Sequence, residues 1–325
     1  MREFALPSLS SRPWGITRGP DGNLWFVEHE ASRVGRITPQ GAITEFRLPS
    51  HRTLLGEIAV GSDGALWFTE PDDNRIGRIT TDGRGSEFVL PTPRSLPTSI
   101  TSGNDGALWF TESFVNQIGR ITPGGQITEF GVPSAGSEPL GVSTITAGQQ
   151  NTLWFTEMVS GSIGRITSAG EVSEFHVPWQ NSRLEGIAAG PNGTIWFLDT
   201  WNGRIGRLTP DGPVTGFGAF SSAPIFGGVT AGPDGAIWLT HRLDANAILR
   251  ITPDGAITQY ALPHPGSDPV EITAGPGGTL WFSEYAGSRI GCITLSSPTL
   301  APQIATGGSC GRGFSREQQR SSSGP

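Results

Sequence analysis

Leu24-Trp25-Phe26-Val27-Glu28 returns as Leu66-Trp67-Phe68-Thr69-Glu70 and then, with small changes, around Trp109, Trp154, Trp196, Trp238 and Trp281. Seven of the ten tryptophans in the 325-residue chain sit in this pentapeptide, at steps of 42, 42, 45, 42, 42 and 43 residues. A fixed period of that size marks a repeat architecture, in which each unit is one supersecondary element unable to bury its own faces. The second copy shows the unit whole: LGEIAV, turn, ALWFTE, loop, RIGRIT, turn, SEFVLP. Four short β-rich segments bounded by Gly, Pro, Asp and Asn predict a four-stranded antiparallel sheet. Sheets of this size are buried by radial stacking, which predicts an all-β, seven-bladed β-propeller.

The count also predicts how the ring closes. Third segments recur seven times, from RVGRIT to RIGCIT, whereas fourth segments of the ITEFRLP type recur only six times before the chain runs into LSSPTLAPQ. The seventh copy stands at the other end, as Arg2-Glu3-Phe4-Ala5-Leu6-Pro7. The N-terminal strand is therefore expected to complete the last blade and remove the exposed sheet edges. Residues 1–297 read as one propeller and residues 298–325, rich in Gly and Ser, as a disordered tail.

Composition narrows the function. The formal net charge is -7, against a nucleic-acid or anionic-membrane partner, both of which need basic patches. All 22 basic residues are arginines, so Schiff-base chemistry, a lysine base and a P-loop are excluded. The first residues, MREFALPSLSSR, have no charged segment followed by an apolar one, and no stretch approaches 18 apolar residues. The expectation is a soluble cytoplasmic protein, monomeric, with Cys292 and Cys310 as free thiols and a disulfide as the alternative.

Repeated tryptophans are read as packing between sheets, repeated turn glycines as hairpin chemistry, and Arg36, Arg78, Arg120, Arg165 and Arg207 as solvated or paired charges along the strands. The ends of the second strands carry Glu28, Glu70, Glu112, Glu157, Asp199, His241 and Glu284, one per blade. Such a ring makes an electronegative mouth able to hold a hard cation, unless the acids instead bond the backbone of the following loops. Irregular positions mark release from packing: Trp14, Gly56, Thr98, Ser143, Glu185, Gly227 and Val270 at the starts of the first strands, and His29, Glu30, Arg242 and Tyr285 beyond the second. His241, Asp268, Glu271 and Glu284 come from adjacent blades and are expected to converge, with His241, His264 or Glu271 as a general base and Trp14, His29, Arg242 and Tyr285 as ligand contacts.

The combined pattern PxGIT..GPDG.LWFTE...N.IGRIT..G.ITEF.LP is carried by SRPWGITRGPDGNLWFVE, SDGALWFTEPDDNRIGRITTDG and NDGALWFTESFVNQIGRITPGGQITEFGVP. Over residues 1 to about 295 it resembles the virginiamycin B lyase family, the streptogramin B lyases. The resemblance implies a lyase that opens a cyclic depsipeptide at its ester by elimination, with a histidine base and a carboxylate-held Mg²⁺. It puts the metal carboxylates at Asp268 and Glu284. It puts the histidine base at Val270 and a substrate-binding histidine at or next to Gly227, so the base would have to be supplied elsewhere, by His241, His264 or Glu271. Two alternatives share the scaffold: a non-catalytic module binding a peptide, glycan or protein through Trp14 and Tyr285, and a calcium-dependent hydrolase similar to gluconolactonases.

Overall fold

The structure, a computed structural model, describes residues 1–8, 10–48, 53–133, 141–210, 213–218, 226–243 and 245–295. It contains seven four-stranded antiparallel sheets, six of them formed from consecutive strands. In the seventh, the N-terminal strand Arg2–Ala5 pairs with Arg289–Thr294, bringing Phe4 opposite Ile290. First strands of neighbouring blades touch all the way round, blade 7 against blade 1 included. The ring is thus closed as the missing fourth segment predicted. The tail reading lies outside the described residues.

Packing explains each letter of the repeat. Every described residue of Leu24–Glu28, Leu66–Glu70 and Leu108–Glu112 is buried on both faces, because each sheet is covered by a neighbour on either side. The tryptophan stacks on the aromatic residue of its own fourth strand, as in Trp25–Phe46 and Trp67–Phe88, both at 5.3 Å between ring centroids. In the turn ahead of it, Asp63 accepts from the Trp67 indole at 3.1 Å and from Arg78 Nε at 2.7 Å, and the Arg78 guanidinium lies 5.7 Å over the Trp67 ring. Asp105, Trp109 and Arg120 repeat this clasp in blade 3, and Asp234, Trp238 and Arg250 in blade 6. Arg78, Arg120 and Arg250 are therefore paired charges that also cover the rings, whereas Arg207 covers its ring while donating to the Pro253 carbonyl at 2.6 Å.

The glycine of RIGRIT has an equally specific cause. A Cβ on Gly77 or Gly119 would fall closer than 3.0 Å to the ring of Phe68 or Phe110, which occupies that space from the adjacent strand. Blade 6 replaces both partners together, with Leu239 facing Leu249 in the same register. Volume is conserved across the pair, as close packing demands.

Cys292 takes the arginine's place opposite Trp281 and is disulfide-bonded. This corrects the free-thiol expectation; the chain's other cysteine, Cys310, lies outside the described residues.

Candidate functional site

The first strands carry a bulge at their start. Pro13 pairs with Glu28 and Ile16 with Phe26, so three steps on one strand match two on the other, and the same shift recurs in blades 3 to 7. An extra residue bends a strand and re-aims its side chains. Here blades 3, 4, 5 and 7 each turn two first-strand residues to the axis, and blades 1, 2 and 6 one. They line a cavity of about 180 Å³ formed by Trp14, Glu57, Thr98, Ser143, Glu185, Glu271 and their neighbours, with Arg242 and Val270.

Hydroxyls of the second strands hold this ring in place. Thr69 Oγ1 accepts from the Glu57 N–H at 3.0 Å and donates to the carbonyl of Thr98 in the next blade at 3.0 Å. Ser283 Oγ accepts from the Glu271 N–H at 3.0 Å, and Thr240 Oγ1 donates to the Val270 carbonyl at 2.7 Å. The threonine of LWFTE thus satisfies the bulge and ties blades together around the axis.

Glu57, from blade 2, and Glu271, from blade 7, face the same cavity as neighbours, with Trp14 beside Glu57. Burial pushes Glu57 up to about 7, opposed by the neighbouring Trp14 and Glu271. Burial and the adjacent Glu57 carboxylate push Glu271 well above the usual carboxylate range. Burial also raises Glu185, against the pull of Arg183 and Arg242. Two carboxyls whose neutral form is favoured by burial thus face one cavity, with Arg242 in its lining.

Beside these carboxyls stands an aromatic and cationic wall. Trp14 packs against His29 at 5.1 Å and meets Tyr285 edge-on at 5.6 Å, and Arg242 lies 5.4 Å over the Trp14 ring. His29 Nδ1 lies 2.6 Å from the Leu55 carbonyl, which sets its ring. The Arg12 guanidinium lies 5.2 Å over Tyr285 and is paired with Glu30, to which Tyr285 Oη also donates at 3.2 Å. The four ligand-contact candidates Trp14, His29, Arg242 and Tyr285 are brought into one cluster by blades 1, 6 and 7.

The other candidates are scattered. His241, its pKa lowered by burial, ends its strand opposite Phe226 and does not line the cavity. His264 is exposed and pairs with Glu3 of the closing strand. Of the three proposed bases only Glu271 reaches the axis. The acids ending the second strands are fully buried inside the blades, so they form no electronegative mouth. Asp199 differs from Glu28, Glu112 and Glu284 in being bonded as well as buried, accepting from Ser182 Oγ at 2.8 Å and from the N–H of Arg183 at 3.1 Å and of Asn202 at 3.3 Å.

The Mg²⁺ implied by the resemblance was tested on its two carboxylates. Asp268 has both oxygens engaged by Arg242, through Nε at 2.9 Å and Nη2 at 2.8 Å. Glu284 is fully buried in blade 7, where burial raises it to about 7 and Ser267, Glu3, Arg289 and His264 are its polar neighbours. A hard divalent cation needs ionised oxygens converging on one open point. These two do not fit it in this arrangement, and among the described residues no group of three or more His, Cys, Asp or Glu side chains does. The axial calcium of the gluconolactonase-like reading lacks a donor set on the same count.

Glu57 was missed by reading the sequence because only the first of the two bulge positions was compared between repeats. The second runs Gly15, Glu57, Ser99, Thr144, Gly186, Gly228 and Glu271, an equally irregular series.

Fold and site together define a closed seven-bladed propeller with a polar axial cavity beside an aromatic wall. The chain belongs to the virginiamycin B lyase family, whose model matches residues 1–144 and 138–301. Among solved structures it is similar to virginiamycin B lyase from Staphylococcus aureus, at 37% identity and a TM-score of 0.85 over 91% of this chain and 99% of that one. It is likewise similar to a catalytically inactive histidine-to-alanine variant of the S. aureus enzyme with quinupristin, at 38% identity and a TM-score of 0.84 over 91% and 99%. With the curated virginiamycin B lyase of Saccharopolyspora erythraea the match is short: 41% identity over 44 residues, 14% of this chain and 15% of that protein.

Proposed function

We propose that the chain is a carbon–oxygen lyase that opens a cyclic depsipeptide of the streptogramin B type by elimination, at the axial cavity. The observation that carries this reading is the cavity lined by Trp14, Arg242, Glu57 and Glu271, with His29 and Tyr285 packed on Trp14. A drug-sized ligand fills roughly 300–1,000 Å³, and this cavity offers about 180 Å³. Only the ester and its neighbouring α-carbon enter, while the rest of the ring lies on the mouth. There Phe114, Val159, Trp201 and Leu243, each two residues beyond the end of a second strand in blades 3 to 6, present an exposed apolar arc. That surface suits a macrocycle with apolar side chains. The Arg242 guanidinium offsets negative charge developing on the ester carbonyl. Magnesium is part of the family's chemistry, and the ring-opening assay is expected to depend on it.

A second reading is favoured by one observation: Val270, at the position where the resemblance puts the base, is apolar and 1% exposed. On that reading the wall and arc capture a cyclic peptide without turning it over. Incubation with a streptogramin B, with and without Mg²⁺, followed by chromatography and mass spectrometry, separates the two. Elimination gives a linear product of unchanged mass, hydrolysis adds one water, and unaltered substrate retained by the protein marks the binding module.

A further inference from the structure

We propose that blade 3 carries a calcium site of its own, built from Glu112, Gln117 and Glu129 and separate from the axial cavity. Glu112 and Gln117 lie directly opposite each other on the second and third strands, and Glu129 lies opposite Gly119 on the fourth. Side chains alternate along a strand, so all three share one face of the sheet, with Gly119 between them. A Cβ on Gly119 would fall 2.8 Å from Glu112 Oε1, so the Glu112 carboxyl lies folded back over the glycine, on the side where Glu129 stands. None of the three lines the axial cavity.

The oxygens gathered here lack donors. Glu112 is 0% exposed and neither of its oxygens has a hydrogen-bond partner, and the buried Gln117 Oε1 has none either. Glu129 is fixed by Thr92 of blade 2, whose N–H and hydroxyl donate to its two oxygens at 3.0 and 2.7 Å. The sister blades show what such a carboxyl pair is given. Blades 1, 2 and 7 have arginine where blade 3 has Gln117: Arg33 lies 3.9 Å from Glu28 and 3.3 Å from Glu45, Arg75 lies 2.8 Å from Glu87, and Arg289 stands opposite Glu284. Blade 4 has Ser162 there and supplies Glu157 with the Ser160 hydroxyl at 2.8 Å. Blades 5 and 6 lose the pair itself, carrying Asp199 with Gly216 and His241 with Gln259. Among the described residues, only blade 3 keeps both carboxyls, gives up the arginine and leaves the inner carboxyl without a donor.

Acceptors shut away from water are satisfied by a donor or a cation. Two carboxylates and an amide oxygen form an all-oxygen set, which hard cations take and thiophilic metals do not. Charge selects a divalent ion, because neither carboxylate is ion-paired among the described residues. Calcium suits the place better than magnesium, which keeps several waters and demands a near-octahedral shell, whereas Glu112 is closed off from solvent. Gln117 and Glu129 are only half-buried and leave a way in. A cation held there takes the part that arginine plays in blades 1, 2 and 7, and through Glu129 and Thr92 it braces blade 3 against blade 2.

The test is calcium titration of the chelator-stripped full chain by calorimetry, with the melting temperature read in parallel, on the wild type, Glu112→Gln and Gln117→Arg. The wild type should bind calcium at blade 3 and melt higher with it than without. Gln117→Arg installs the residue that blades 1, 2 and 7 already accommodate, so it should stay folded whatever becomes of Glu112→Gln. Both variants should bind at that site at least roughly tenfold more weakly, and the melting temperature of Gln117→Arg should no longer respond to calcium. A wild type that takes up no calcium overturns the site. Calcium uptake of undiminished affinity and stoichiometry in Gln117→Arg overturns it equally, by placing the ion elsewhere.

Discussion

Replacing Arg242 by Met should destabilise the protein more than its place at the mouth suggests, and should do so through Asp268. The side chains are 18% and 11% exposed, and the guanidinium grips both carboxylate oxygens at 2.8 and 2.9 Å. Methionine keeps most of the aliphatic stem but leaves a carboxylate without its counter-charge. Removing one partner of a buried pair costs about 3–5 kcal/mol, and the partial opening to solvent favours the lower figure. Loss of the cation over Trp14, 5.4 Å from its ring, adds about 0.5–1 kcal/mol. At about 2 °C per kcal/mol for a large domain, the melting temperature should fall by roughly 5–8 °C. Scanning calorimetry on Arg242→Met, Asp268→Asn and the double variant supplies the cycle. The double variant should recover at least half of the loss, because the orphaned charge is gone. An Arg242→Met protein within 1 °C of wild type, or a double variant as unstable as the sum of the singles, would refute the argument that the pair's worth lies in a desolvated carboxylate.

Three further outcomes follow from the same geometry. Glu112 is fully buried, and burial raises it to about 7 from 4.5, against the opposing pull of nearby Ser95. The folded state thus holds its proton longer than the unfolded one, so stability is complete below about pH 4.5 and is lost as pH rises towards 7. Glu112→Gln should flatten that decline in urea titrations between pH 5 and 8, and an unchanged slope would count against it. Gly227→Ala would press a Cβ closer than 3.0 Å to the Val270 carbonyl and Thr240 Oγ1, so it should cost about 1–3 kcal/mol by thermal melting; wild-type stability would show that the backbone there yields. Trp201→Ser, on the exposed arc, should raise KM for a depsipeptide about 3–10-fold with kcat unchanged, the worth of one exposed aromatic contact; an unchanged KM would place the macrocycle elsewhere.

The fold was legible because the period states itself, and because a missing fourth segment at Leu295 matched a spare one at Arg2. The site was legible only in part, for two physical reasons. Alternation fails inside LWFTE, where stacked sheets bury both faces, so Glu112 and Glu284 look like mouth residues while lying within the blades. The bulge brings a second first-strand position to the axis, so comparing one position per repeat found Glu185 and Val270 but passed over Glu57. Trp14, His29, Arg242 and Tyr285 were readable as departures from the repeat, and departures are what a ligand surface leaves in a repeated sequence. What no spacing could show is that Arg242 would turn to Asp268 and occupy the carboxylate on which a metal was expected.

Ring opening of a streptogramin B in ¹⁸O-labelled water is the most direct test of the account. A linear product of unchanged mass, carrying no label, is the predicted result. A product heavier by one labelled water, or a substrate recovered intact, would contradict it.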